Sequence, residues 1–292
     1  MLNGIYPALT TPFSDDQIDL EKFKSNAQMY NKTELSGYVV LGSNGESVFL
    51  TKEEKLSLIS TIREQADNNK KIIAGTGLES IKDTISLSNE AAKNGADYAL
   101  IITPFFFKSA MNHRSFITYF TTVADSISIP LIIYNVTKFT NVNIEVETIA
   151  ELAEHPNIVG IKNSTENIAQ ISEIILSTPD EFAVLIGTGS ILLPGFIAGA
   201  AGGVLALANI APYECINIYK LFKENNIEQA KEIQNRMISV NKAITSKYGV
   251  AGLKAAMDIL GYYGGAPRKP LQPVSSEIKK ELKSILIKAK LL

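Results

Sequence analysis

Short apolar runs alternate with longer amphipathic stretches along the whole chain, the pattern of βαβ units around a parallel sheet. The runs predict eight strands, at Gly4–Thr10, Gly37–Gly42, Lys71–Gly75, Tyr98–Thr103, Leu131–Asn135, Ile158–Lys162, Ala183–Gly187 and Gly203–Ala208. Helices are predicted between them. Two open on capping signals, Thr51-Lys52-Glu53-Glu54 and, with Asp in place of Glu, Ser80-Ile81-Lys82-Asp83. The stretch 191–200 is short and almost wholly apolar, which predicts a buried helix. Past the eighth strand, helices are predicted near 213–225, 227–246, 252–260 and 275–290, the third ended by the turn Gly261-Tyr262-Tyr263-Gly264-Gly265. Eight β/α units followed by helices predict an α/β fold, a (β/α)8 TIM barrel over 1–225, with a C-terminal helical extension over 226–292 packed on it as one unit. An open doubly wound sheet would show a glycine-rich phosphate turn after the first strand, and none is present.

Composition narrows the chemistry. The 292 residues suit one large domain, and 46% apolar against 20% charged residues supports a large core. A net charge of −2 gives no electrostatic reason to expect a nucleic acid or an anionic membrane as partner. No apolar run approaches the roughly 18 residues a membrane span needs, and with a first strand starting at Gly4 no leader is expected. A single cysteine, Cys215, cannot form an intramolecular disulfide, which suits a reducing cytoplasm. With one Cys and two His (His113 and His155), a zinc site or a Ser-His-Asp or Cys-His centre is not expected. Reactive groups should then be Lys, Tyr, Ser, Thr or carboxylates.

In a TIM barrel the chemistry sits at the C-terminal ends of the strands. Lys162 ends the run Ile158-Val159-Gly160-Ile161-Lys162, and alternation puts Ile158, Gly160 and Lys162 on one face and Val159 and Ile161 on the other. If helices cover the second face, Lys162 enters the barrel mouth, where apolar walls favour the neutral amine that attack on a ketone requires. The alternative is a surface lysine on a fraying strand. Tyr134 ends the neighbouring strand, close enough to exchange protons with a substrate on Lys162, or else simply fills the top of the barrel. Gly42-Ser43-Asn44-Gly45-Glu46 follows the second strand; its glycines permit a tight turn, and Ser43 and Asn44 offer donors to a carboxylate. Taken alone, such a loop is often only a turn. Glu46 is expected to orient the loop by accepting backbone N–H bonds, and His113 to be a helix-start residue.

Together these segments resemble the N-acetylneuraminate lyase and dihydrodipicolinate synthase superfamily of pyruvate-handling class I aldolases, from Pro7 to the C-terminal tail. The resemblance implies Lys162 as the imine-forming nucleophile, Tyr134 as the proton shuttle, Ser43 and Asn44 as the carboxylate binders, and Gly187 and Val204 lining the pyruvate pocket. It implies no metal and no organic cofactor, a homotetramer built from tight dimers, and a dimer-contact loop around Phe106. The Ser-Asn loop, Lys108-Ser109-Ala110-Met111, Gly252 to Asp258 and Pro270-Leu271-Gln272-Pro273 are most similar to the 4-hydroxy-2-oxoglutarate aldolase branch, which splits its substrate into pyruvate and glyoxylate.

Three positions depart from the superfamily pattern, among them Thr137, where proline is usual. Phe106 stands where relatives carry a tyrosine that reaches the neighbouring subunit's site. Phe139 stands where the synthase branch has an arginine for a second carboxylate, with Lys138 beside it as a partial substitute. Losing that contact argues against efficient dihydrodipicolinate synthesis. The rival readings are an aldolase for 2-keto-3-deoxy sugar acids, dihydrodipicolinate synthase acting on aspartate semialdehyde, and a non-catalytic barrel that binds pyruvate for regulation.

Overall fold

The computed structural model describes residues 2–292. Eight strands form one sheet: β1 (Gly4–Pro7), β2 (Gly37–Val40), β3 (Lys71–Gly75), β4 (Tyr98–Ile102), β5 (Leu131–Asn135), β6 (Ile158–Asn163), β7 (Ala183–Ile186) and β8 (Gly202–Leu205). Each pairs in parallel with its neighbours in chain order, and β8 pairs with β1. A parallel bridge between Ala8 and Val39, with Leu9 N–H donating to the Val39 carbonyl at 2.9 Å, closes β1 onto β2. The sheet is thus a (β/α)8 barrel. All eight predicted strands are present, several shorter than predicted; Ala8 and Leu9, for example, continue β1 only as this bridge.

A helix of seven or more residues follows each strand, α1 (Leu20–Asn31), α2 (Lys52–Gln65), α3 (Ile81–Lys93), α4 (His113–Ser126), α5 (Val146–Ala153), α6 (Ile168–Ser177), α7 (Leu192–Ala198) and α8 (Pro212–Lys223), and a single helical turn, Thr137–Thr140, precedes α5. The extension adds α9 (Ile227–Lys242), α10 (Gly249–Ile259) and α11 (Ser276–Lys288). The capping box at Thr51 is complete, with Thr51 Oγ1 accepting from Glu54 N–H and Glu54 accepting from Thr51 N–H. Instead of running to 246, α9 widens at its end into a π turn over Ala243–Lys247, where Tyr248 N–H reaches back to the Ala243 carbonyl, and Gly249 at φ +58° breaks the helix. Helix α7 buries Leu192, Leu193 and Phe196 as expected, but Ile197 on its far side is exposed.

Strand alternation separates two apolar layers. Tyr6, Val39, Ile73, Leu100, Ile132, Leu185 and Val204 fill the barrel interior, while Ile5, Tyr38, Ile72, Ile101, Ile133 and Val184 pack under the helices. In β6 the predicted alternation fails at its first two residues. Leu131 pairs with Ile158, but Ile132 pairs with Gly160, so Val159 is an extra residue in a β-bulge. Ile158 therefore packs under the helices and Val159 against the interior, the reverse of the expectation, while Ile161 and Lys162 keep their predicted faces.

Candidate active site

Lys162 and Tyr134 are register partners on β6 and β5, and both are buried. Lys162 Nζ stands 4.1 Å from the Tyr134 ring centroid. Among the described residues no carboxylate forms an ion pair with this amine. Two glycines admit the lysine's surroundings. A Cβ at Gly160 would overlap the Ala183 carbonyl on β7, and one at Gly187 would overlap Ser164 Oγ. Ser164, two residues past Lys162, buries a hydroxyl without a partner. The same alternation that placed Lys162 inward could have flagged it.

The turn Ser43–Gly45 is one short 3₁₀ segment. Ser43 Oγ lies 3.3 Å from the Tyr134 hydroxyl, so one hydrogen bond links the turn to the phenol. Asn44 is half-buried beside it, and Val204 is buried in the interior layer with Tyr134. The structure thus brings Ser43, Tyr134 and Lys162 together, as predicted. Such a group can hold an anion, pass a proton and offer a nitrogen nucleophile. Among the described residues no three His, Cys, Asp or Glu side chains converge as metal ligands, and no helix is long and apolar enough to cross a membrane.

Glu46 does accept a backbone N–H, but from Arg268 in the extension, at 2.8 Å, not from its own loop. Its other oxygen lies 2.5 Å from Lys254 Nζ on α10, with both side chains essentially inaccessible. That contact is one of charge; the aligned hydrogen bond of Lys254 goes to the Ala266 carbonyl at 3.1 Å. Burial pushes the Lys254 ammonium below its ordinary value, and Glu46 opposes the shift. Arg268 forms two bonds to Glu54, at 2.7 and 2.6 Å, and one to the Phe49 carbonyl at 2.9 Å. Sequence reading missed Lys254 and Arg268 as neighbours of the loop.

The departures are also visible. Phe106 and Phe107 are exposed, and Glu79 fixes their loop by accepting the Phe105 and Phe106 N–H groups at 3.1 Å. Phe139 is more than half exposed. Lys138 spends its amine on the Thr245 carbonyl in the π turn, at 2.7 Å. His113 begins α4, with Nδ1 3.0 Å from Thr148 Oγ1 and Nε2 3.2 Å from Glu151.

Comparison with known proteins agrees with this geometry. The chain is 36% identical over 290 residues to 4-hydroxy-tetrahydrodipicolinate synthase of Methanothrix thermoacetophila, covering 99% of this chain and 97% of that one. It is 35% identical over 291 residues to the enzyme of the same name from Methanoculleus marisnigri, covering 98% and 99%. Dihydrodipicolinate synthase from Aquifex aeolicus superposes with a TM-score of 0.92 at 33% identity, over 99% of each chain. The enzyme from Acinetobacter baumannii, crystallised with pyruvate, superposes with a TM-score of 0.94 at 27% identity, again over 99% of each. These relatives carry the synthase name, not that of 4-hydroxy-2-oxoglutarate aldolase, the branch expected from the sequence. The model of the Dihydrodipicolinate synthetase family matches residues 1–289, and with Lys162, Tyr134 and the Ser43–Gly45 turn brought together at three strand ends of one barrel, the chain belongs to that family.

Proposed function

We propose that this chain is a class I, Schiff-base aldolase-type enzyme that joins pyruvate to an aldehyde, with aspartate semialdehyde as the preferred partner. The observation that carries the reading is Lys162: a buried amine with no carboxylate partner, beside a phenol that reaches Ser43. Ser43 and Asn44 hold the pyruvate carboxylate, with Gly187 and Val204 lining the pocket. The neutral Nζ attacks C2 of pyruvate, water leaves, and an iminium forms. Loss of a C3 proton gives an enamine, whose C3 adds to the aldehyde carbon; Tyr134 passes the protons to and from solvent through Ser43. Hydrolysis then returns the free amine. The protonated imine is itself the electron sink, so the cycle calls for no metal or organic cofactor. The semialdehyde is favoured by the relatives' names, and pyruvate by the ligand in the Acinetobacter baumannii structure. The exposed pair Phe106 and Phe107 supports contact with a second copy of the chain, as in a dimer of dimers.

A second reading, cleavage of 4-hydroxy-2-oxoglutarate to pyruvate and glyoxylate, is favoured by one observation. Phe139 provides no charge for a second carboxylate, and Lys138 is occupied by Thr245. Intact-mass analysis after pyruvate and borohydride should show one adduct, on Lys162. Parallel kinetics with aspartate semialdehyde plus pyruvate, with 4-hydroxy-2-oxoglutarate and with a 2-keto-3-deoxy sugar acid then rank the partners. A higher kcat/KM for 4-hydroxy-2-oxoglutarate would replace the first reading by the second. Adduct formation without turnover of any of the three would leave a pyruvate-binding barrel.

A further inference from the structure

The turn that carries Ser43 and Asn44 is strained at both ends. Leu41 and Glu46, neither of them glycine, adopt left-handed backbone at φ +60° and +55°. Such conformations cost energy and persist only where the surroundings impose them. Two contacts outside the turn do so at its Glu46 end: Thr11 Oγ1 donates to the Gly45 carbonyl at 2.7 Å, and Glu46 meets Lys254 and the Arg268 N–H. Arg268 extends the grip to the Phe49 carbonyl and Glu54. The front of the turn faces Tyr134, and its back is fastened to α10 and the segment before α11.

Lys254 takes no part in the chemistry derived above, since it is enclosed and held against a carboxylate. Stability alone does not account for it either, because a well-packed apolar pair often stabilises a fold as well as a buried ion pair does. What a buried ion pair adds is a demand for one arrangement. We propose that Lys254 is a positioning residue for the substrate carboxylate: through Glu46 it sets the Ser43–Asn44 turn at the distance from Lys162 that imine formation requires. The inference rests on the assignment of Ser43 and Asn44 as the carboxylate binders.

The test uses the full chain with Glu46→Gln and Lys254→Met combined, which removes both charges at nearly constant volume. Borohydride reduction over a range of pyruvate concentrations reads the plateau of adduct on Lys162 and the concentration giving half of it. The double variant is expected to keep the plateau and to raise the half-labelling concentration about 10- to 100-fold, the order of effect that a shift of about 1 Å has on a positioned group. Ile174→Val, in α6, is the control for a loss of stability, which should leave that concentration unchanged. A folded double variant with the wild-type half-labelling concentration overturns the proposal. Ser43→Ala, run in parallel, separates the two failures. If it too changes nothing, the carboxylate assignment has failed and the proposal with it; if it shifts the concentration and the double variant does not, only the role of Lys254 is lost. Should the double variant not fold, hydrogen exchange on the unaltered protein decides. The amides of 43–46 are expected to exchange through the same opening as α10, and an independent, faster opening of the turn overturns the proposal.

Discussion

Lys162 and Lys254 are both buried, at 3% and 0% exposure, and each stands beside an aromatic ring, 4.1 Å from Tyr134 and 4.5 Å from Phe13. Their company differs. Lys254 has Glu46, the Ala266 carbonyl and a network that reaches Arg268 and Glu54, and Glu46 and Asp258 oppose the lowering that burial imposes on its ammonium. Lys162 has Tyr134 across one flank, Leu185 across the other and, among the described residues, no carboxylate in an ion pair with it. Burial is common to the two lysines; what separates them is the partner, a carboxylate that fixes one in place and a phenol that stands beside the other.

The comparison breaks most sharply at Lys162. Lys162→Ala is expected to abolish the borohydride adduct and lower kcat by about 10⁴-fold or more, as loss of a nucleophile does. An adduct on Lys254 in that variant would show that the two environments are not distinct in kind. Next in size is Tyr134→Phe. It keeps the ring beside Lys162 but removes the hydroxyl, and a fall in kcat of about 10²- to 10⁴-fold is expected, the range for a general acid–base group. Single-turnover kinetics should show slower imine formation with Lys162 still labelled.

Lys254→Met sharpens the other side. It strands Glu46 as a buried charge, so unfolding should become easier by about 3–5 kcal/mol, the cost of breaking a buried pair by removing one partner. Denaturant titration reads this, and a loss below 1 kcal/mol would mean that solvent reaches the pair. The smallest effect concerns pH. The hydrogen bond from Arg268 holds the Glu54 carboxyl below its ordinary value near 4.5. Its contribution to stability is then present above that value and disappears as pH falls through the lowered one. Melting temperature measured against pH should show this decline, and Glu54→Gln should flatten it. A decline that survives the substitution assigns it to another carboxylate.

The fold was readable because each strand is a short apolar run and each helix a long amphipathic one; eight repetitions leave little freedom of topology. Strand ends were less readable, since residues such as Ala8 and Leu9 stay apolar after the ladder is reduced to a bridge. The placement of Ser43, Tyr134 and Lys162 was legible because each sits at or just past a strand end, where position along the chain translates into position in space; their roles came from the family resemblance, since each alone had an equally good structural reading. Lys254 and Arg268 were not. Arg268 meets Glu46 across 222 positions of sequence, and no local period encodes such a meeting. Ile158 was assigned to the wrong face because counting by twos assumes an unbroken ladder, and the partner of Ile132 is displaced by one residue.

That displacement gives β6 slack at one end only. Ile158 and Val159 together oppose Leu131, so loss of Val159 in the course of divergence would straighten the pairing without altering the parity of the residues after it. Between Gly160 and Lys162 there is no such reserve: one residue gained or lost there turns the amine out toward the helices. Length can drift at the start of this strand, while at its end it is set to the residue.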